Sequence, residues 1–228
     1  MPEASTFSGF GPDATAWFTG LAADNSKAYF DRTRSTYEAS IRDPLNALLH
    51  ELAGEFGGQV KLFRQNRDIR FSKNKSPYKL NTYGIIFDRP KTPTGLYVSI
   101  SAQGLYAGTG YYQMARDQLD RYRAAVADEK NGKRLVKIVA DVTADGLDVV
   151  GEKLKTVPRG YARDHARADL LAHKDLIAGA MLPAGPALAD RRAYDFAAKT
   201  WRAAEPLVKW LDSHVGKSTI AMDERSRR

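Results

Sequence analysis

Residues 96–103 read LYVSISAQ, and their side chains alternate between apolar and polar or aromatic types along the whole stretch. Such alternation is typical of a β-strand that buries one face, because successive side chains point to opposite sides of the sheet. Residues 83–88 and 105–112 have the composition of neighbouring strands. The link over residues 88–95 (DRPKTPTG) is short and rich in turn residues, which predicts an antiparallel hairpin. The sequence therefore predicts a central, mainly antiparallel sheet within residues 60–112.

Helical periodicity replaces the strand pattern on both sides of this region. Apolar and aromatic residues recur at helical spacing near residues 14–21, 29–41, 45–56, 115–126, 135–139 and 207–211. The third of these segments follows Asp43-Pro44, a pair typical of a helix start, and ends before Gly57. Residues 175–182 indicate one late strand. Because the strands cluster between blocks of helices, we expect an α+β fold with a single domain over residues 1–216.

The composition is that of a globular protein. The chain has 228 residues, of which 43% are hydrophobic and none is cysteine. Disulfides, thiolate metal sites and a cysteine nucleophile are therefore excluded. The start lacks the basic and apolar regions of a secretion signal, and the best apolar run, residues 176–189, is short and broken by Pro183 and Pro186. We therefore expect a cytoplasmic protein that is neither secreted nor membrane-spanning.

Positive charge is concentrated in one segment of the chain, whose formal net charge is +8. Residues 61–79 hold seven lysines and arginines against one aspartate, a net charge of +6. Residues 217–228 hold four against two acidic residues, a net charge of +2, and the rest of the chain is neutral overall. This distribution favours a localised anion site over a broad polyanion-binding surface. Because the end lacks an apolar face, we predict a disordered basic tail over residues 217–228.

Familiar catalytic and cofactor motifs are incomplete in this sequence. Gly216-Lys217-Ser218-Thr219 resembles the end of a phosphate-binding P-loop, but that motif needs an earlier glycine where this chain has Leu211. A P-loop also needs a strand before it, and here a helical pattern comes first. The four histidines lack metal-ligand spacing. The sequence accordingly predicts neither a metal nor a cofactor.

The basic segment has the residue types that bind anions. Residues 64–79 read RQNRDIRFSKNKSPYK. Arginine forks bind paired carboxylate or phosphate oxygens, and lysines add point charges. Ile69, Phe71 and Tyr78 interleave with the charges, so we expect parts of the segment to pack against the core.

Asp68 is the single acidic residue within this segment. It can pair with Arg67 or Arg70 and so hold a guanidinium in place for a ligand. The plainer alternative is an ion pair that only fixes the loop.

Several blocks of the sequence together resemble a known family. They are residues 67–72 (RDIRFS), Asn74-Lys75 and Pro77-Tyr78-Lys79, with further blocks at Phe10, Trp17, Phe18, Leu21, Asp24-Asn25 and Tyr29-Phe30, and at residues 154–155, 158–161 and 170–174. On these blocks the chain resembles domain-of-unknown-function family 2461, a widespread set of conserved hypothetical proteins. The resemblance implies an α+β domain and supplies no activity, substrate or cofactor. The family pattern usually has aspartate where this chain has Asn74, which puts in doubt any role for a carboxylate there.

Residues 154–161 (LKTVPRGY) form a second candidate region. Lys155 and Arg159 flank a proline that rigidifies the loop, and the glycine after Arg159 allows close approach of a ligand. His165 follows shortly, and histidine is the side chain most often used for general acid or base catalysis. A lone histidine in a loop is, however, more often ordinary surface.

Three functional interpretations follow from these residues. The leading one is a site for a small ligand that carries phosphate or carboxylate. Its residues are Arg67, Arg70, Lys75, Tyr78 and Lys79, with help from Arg159, and an enzymatic version uses Asp68 or His165 for proton transfer. The second is a nucleic-acid-binding protein in which the same basic side chains contact phosphates, and Tyr78 and Phe71 stack on nucleobases. The neutral charge of the rest of the chain disfavours this interpretation. The third is a purely structural motif that attaches the helices to the sheet.

Overall fold

The computed structural model describes residues 6–70, 72–90 and 92–220, and a six-stranded sheet organises them. The strands are β1 (Gln59–Leu62), β2 (Asn81–Phe87), β3 (Gly95–Ser101), β4 (Gly104–Tyr111), β5 (Asp148–Val150) and β6 (Leu176–Pro183). Their order in the sheet is β1-β2-β3-β4-β6-β5. Helices precede and follow the strands of the first hairpin. The α+β class predicted from the sequence is confirmed.

The predicted hairpin is present between β2 and β3. The two strands pair antiparallel, with Gly84 opposite Val98, and β1 pairs antiparallel with the other edge of β2. β5 and β6 extend the sheet beyond residues 60–112. β6 coincides with the late strand predicted over residues 175–182, whereas the three residues of β5 are too few to reveal an alternating pattern in the sequence.

Most of the helices lie close to the segments that periodicity predicts, whereas the helices over residues 168–171 and 192–203 were not predicted. The helices are α1 (Ala14–Ala23), α2 (Lys27–Arg32), α3 (Arg34–Tyr37), α4 (Asp43–Phe56), α5 (Arg116–Ala127), α6 (Glu129–Ala144), α7 (Ala168–Leu171), α8 (Arg192–Ala203) and α9 (Glu205–His214). A π-helical turn over Glu38–Arg42 leads directly into α4. Asp43 is therefore the first residue of α4 and not the cap before it. Gly57 ends α4 with φ at 71°, a left-handed conformation that favours glycine. Within the described ranges, each helix is too short or too polar to cross a membrane.

The chain divides into two compact units. The first comprises residues 1–90, 96–107 and 181–199, and the second comprises residues 91–95, 108–180 and 200–228. The single domain expected over residues 1–216 stays a prediction.

The core of the first unit is built from α4, the hairpin and an aromatic cluster. Leu49 of α4 is fully buried against β2, where a Cβ on Gly84 would lie only 2.3 Å from its Cδ1 atom. Glycine therefore allows the helix to approach the sheet closely. Trp17, Phe30 and Tyr37 pack together, with ring centroids 4.9 Å apart for Trp17 and Tyr37 and 5.3 Å apart for Phe30 and Tyr37. Phe30 of this cluster also stacks on Tyr78, which lies in the loop between β1 and β2.

The second unit has its own core, in which buried aromatic side chains also satisfy backbone acceptors. Tyr122 of α5 and Trp210 of α9 meet edge to face, with centroids 6.2 Å apart. The Tyr122 hydroxyl donates to Leu170 O over 2.8 Å, and Trp210 Nε1 donates to Asn131 O over 3.1 Å. Both rings therefore bring their polar atoms into the core without leaving them unpaired.

The segment after α9 is attached to the first turn of α5. The Asp117 carboxylate accepts the Ser218 hydroxyl over 2.8 Å and the Thr219 N–H over 2.7 Å. Burial alone would raise the pKa of Asp117, but these hydrogen bonds outweigh it and hold the pKa below its usual value. Of the tail predicted over residues 217–228, the first four residues include these contacts, and residues 221–228 lie outside the described residues.

Candidate functional site

The basic loop, residues 63–80, connects β1 to β2. Its two ends continue the antiparallel pairing of those strands: Phe63 N–H donates to Tyr83 O over 3.0 Å, and Asn66 pairs with Tyr78 across the base. The loop is therefore closed by backbone hydrogen bonds before its charged tip begins.

Gln65 is the buried polar group at this base, with 4% of its surface exposed. Its Nε2 donates to Lys79 O over 2.5 Å and to Asn81 O over 3.4 Å, while its Oε1 accepts the buried Thr82 hydroxyl over 2.7 Å. A buried amide with both ends bonded fixes the geometry of the two chain segments it joins. Sequence reasoning missed this residue, because a glutamine among charged residues carries no pattern that indicates burial.

Tyr78 anchors the loop from the inside. The Asn25 side chain bonds both peptide groups of this residue, since Tyr78 N–H donates to Oδ1 over 3.0 Å and Nδ2 donates to Tyr78 O over 3.2 Å. The Tyr78 ring stacks on Phe30 with centroids 4.4 Å apart, and only 6% of the residue is exposed. Its ring is thus part of the core and does not form an exposed stacking surface. Phe71, the other predicted stacking residue, lies outside the described residues.

Asp68 pairs with Arg70 at the exposed tip. Arg70 Nε and Nη2 donate to the two carboxylate oxygens over 3.0 and 2.6 Å, and the Arg70 N–H adds a third bond over 3.2 Å. These hydrogen bonds lower the pKa of Asp68 to about 2. An efficient general base has a pKa near the working pH, so this carboxylate is poorly matched to proton transfer at neutral pH. Asp190 and Arg192 repeat the same arrangement elsewhere in the first unit.

Three further cations brace the loop through acceptors of the loop itself. Arg67 Nη2 donates to Ser72 Oγ over 3.4 Å, Lys75 Nζ donates to Ile69 O over 3.0 Å, and Lys79 Nζ donates to Arg64 O. Burial, and secondarily the charge of Arg64, lowers the pKa of Lys79. An ammonium carries three donors and a guanidinium five, so these contacts leave each group able to bind a ligand as well.

An aromatic row lies beside Lys79, whose Nζ is 4.9 Å from the centroid of Tyr83. It consists of Phe63, Tyr83, Tyr97 and Tyr106, whose neighbouring centroids are 4.6, 5.5 and 6.0 Å apart along the row. All four residues are partly exposed. The sequence carries part of the signal for this row, because Tyr97 lies on the polar side of the alternating pattern of its strand. That pattern does not show that Tyr83 of the neighbouring strand lies beside it.

The second candidate region lies in the second unit, whereas the basic loop lies in the first. Arg159 is exposed beside Gly160, in a turn closed by the bond from Tyr161 N–H to Pro158 O over 3.4 Å. The grouping of Arg159 with the cations of the basic loop stays a prediction.

His165 in the same unit has a local structural partner. Its Nδ1 accepts the N–H of Arg167 over 3.0 Å. Arg167 is buried and donates from Nε to Val126 O over 2.7 Å and from Nη2 to Ala127 O over 2.9 Å, which satisfies carbonyls at the end of α5. The histidine thus helps to position a buried arginine, which sequence reasoning did not single out.

The comparisons with known proteins assign the chain to a family. No curated protein matches it. A family model with the description "Conserved hypothetical protein (DUF2461)" matches residues 13–210, which include the basic loop, Asn25 and the four rings of the aromatic row. The resemblance noted on the sequence blocks is confirmed, and the chain belongs to the Conserved hypothetical protein (DUF2461) family.

Proposed function

We propose that the protein binds a small ligand carrying phosphate or carboxylate, and that the basic loop supplies the cations. The observation that carries this proposal is that the most charged segment of the chain is also closely braced. Backbone pairing, Gln65 and Asn25 fix its base, and the contacts of Asp68 and Lys75 fix its tip. A site whose cations are already held in place loses less side-chain entropy when an anion binds.

The roles within the loop differ from one residue to the next. Arg67, Arg70, Lys75 and Lys79 contact the anion, because each has an exposed or partly exposed cationic group. Tyr78 acts indirectly, by anchoring the loop to Phe30. The proposal is for binding, and it assigns no proton transfer to Asp68. We further propose a cytoplasmic location, which the cysteine-free composition fits.

Isothermal titration with inorganic phosphate, ribose phosphate and citrate tests this proposal. Arg70→Ala removes a guanidinium that donates charged hydrogen bonds to the anion, so it should weaken binding by about tenfold or more. Arg192→Ala is the matched control, because Arg192 pairs with its own aspartate outside the loop through the same N–H, Nε and Nη2 donors. Binding should survive in that variant.

Two results would reject anion binding at the loop. The first is that none of the three anions binds the wild-type protein. The second is that Arg70→Ala and Arg192→Ala weaken binding equally. An Arg70→Ala protein that fails to fold would favour the structural interpretation of the loop, which far-UV circular dichroism would reveal.

A further inference from the structure

The aromatic row shares one face of the sheet with Lys61, and Lys79 lies beside the same row. Lys61 of β1 lies opposite Ile85 of β2, and Tyr97 of β3 also lies opposite Ile85. Residues directly opposite each other in antiparallel strands point to the same side, so Lys61 and Tyr97 share a face, and Tyr83, two positions before Ile85, joins them. Strand register therefore places Lys61, Tyr83 and Tyr97 on one face, independently of the ring contacts.

Two lysines stand over the rings at one end of the row. Lys61 Nζ lies 5.0 Å from the centroid of Phe63, and Lys79 Nζ lies 4.9 Å from the centroid of Tyr83. Both distances are within the range of cation–π contact. Positive charge and planar aromatic surface are thus continuous within the first unit, with the lysines at one end and Tyr97 and Tyr106 towards the other.

This combination fits a particular class of anion. Inorganic phosphate, citrate and sugar phosphates offer charge but no planar ring for an aromatic row to contact. A nucleotide offers both a phosphate for cations and a base that stacks on aromatic side chains, an interaction that every base can make. We infer that the ligand of the basic loop is a nucleotide. Its phosphate is bound by the loop cations at Lys79 and by the neighbouring Lys61, and its base stacks at Tyr97 and Tyr106. This inference rests on the proposed function and specifies its ligand.

The test compares two probes that differ only in the base. Isothermal titration would measure binding of adenosine monophosphate and of ribose phosphate to the full chain and its variants. Wild-type protein should bind adenosine monophosphate about tenfold more tightly, because its base stacks on an aromatic ring and ribose phosphate has no base. Tyr97→Ser and Tyr106→Ser should remove most of this preference and leave the affinity for ribose phosphate unchanged.

Two further variants separate stacking from other causes. Tyr97→Phe keeps the ring and should keep the preference, although it loses the hydroxyl that accepts from Asn81 Nδ2 over 3.4 Å. Tyr112→Ser is the control for a tyrosine away from the row, because Tyr112 lies in the second unit with 69% of its surface exposed. It too should retain the preference. Unchanged ribose phosphate binding also shows that a serine variant is folded.

The outcomes distinguish this inference from the proposed function. Equal binding of the two probes by wild-type protein would overturn the nucleotide assignment while anion binding stands. Loss of the preference in Tyr112→Ser would overturn it as well. A third outcome is that a single-stranded oligonucleotide binds about 100-fold more tightly than the mononucleotide, with a steep salt dependence. This result would overturn the mononucleotide assignment and indicate a nucleic-acid polymer as the ligand.

Discussion

Replacement of Asn25 by alanine should destabilise the basic loop, although Asn25 lies 53 positions before Tyr78 in the chain. The Asn25 side chain bonds both the N–H and the C=O of Tyr78, over 3.0 and 3.2 Å. Tyr78 is nearly buried, so water replaces these partners poorly. A hydrogen bond contributes about 0.5–1.5 kcal/mol net, and a buried group left unpaired costs about 1–3 kcal/mol. We therefore expect Asn25→Ala to lower the free energy of unfolding by about 2 kcal/mol.

Two measurements check this value. In a chain of this size, 1 kcal/mol corresponds to about 2–4 °C, so the Tm of Asn25→Ala should fall by about 4–8 °C. Amide hydrogen exchange should show loss of protection at Lys79 and Arg67, whose N–H groups bond across the base of the loop. Asn46→Ala is the control, because Asn46 is exposed on α4 and its replacement should change stability by less than about 0.5 kcal/mol.

Either of two results would refute the proposed role of Asn25. A Tm that changes no more in Asn25→Ala than in Asn46→Ala would mean that water or a neighbour satisfies the Tyr78 peptide groups. Unchanged protection of the loop amides, together with a lowered Tm, would mean that Asn25 stabilises α2 and not the loop.

Two more predictions concern the second unit. Asp117→Ala removes the acceptor of Ser218 and Thr219, so it should lower the free energy of unfolding by about 1–3 kcal/mol and speed proteolysis after α9; an unchanged cleavage rate would refute this. Burial lowers the pKa of His173, whose Nδ1 donates to Asp175 O over 2.8 Å. Below about pH 6.5 the unfolded chain takes up a proton that the folded chain resists, so stability should fall with acidification, by at most about 1.4 kcal/mol per pH unit. His173→Asn should flatten denaturant-measured stability between neutral and mildly acidic pH, and an equal slope in both proteins would contradict the assignment.

The sequence by itself determined the elements whose signals are local. Alternation over residues 96–103 and the turn residues of 88–95 were enough to predict the hairpin, because a strand with one buried face must repeat every two residues. Helical spacing and Gly57 were enough to bound α4, since a helix needs an apolar stripe and a residue that tolerates a left-handed end. The concentration of charge that defines the basic loop is likewise a property of a short segment.

Only the tertiary structure decided how that segment is held and what lies beside it. Asp68 had two equivalent partners in the sequence, and folding selects Arg70. The sequence suggested that Tyr78 binds a ligand, because it lies among basic residues. In the structure it packs in the core, where it contacts Phe30 and Asn25, which are distant in sequence. The aromatic row similarly depends on the pairing of separate strands. These contacts join residues that are far apart in the chain, so their energies depend on which surfaces the fold brings together. Periodicity within a short sequence window does not contain that information.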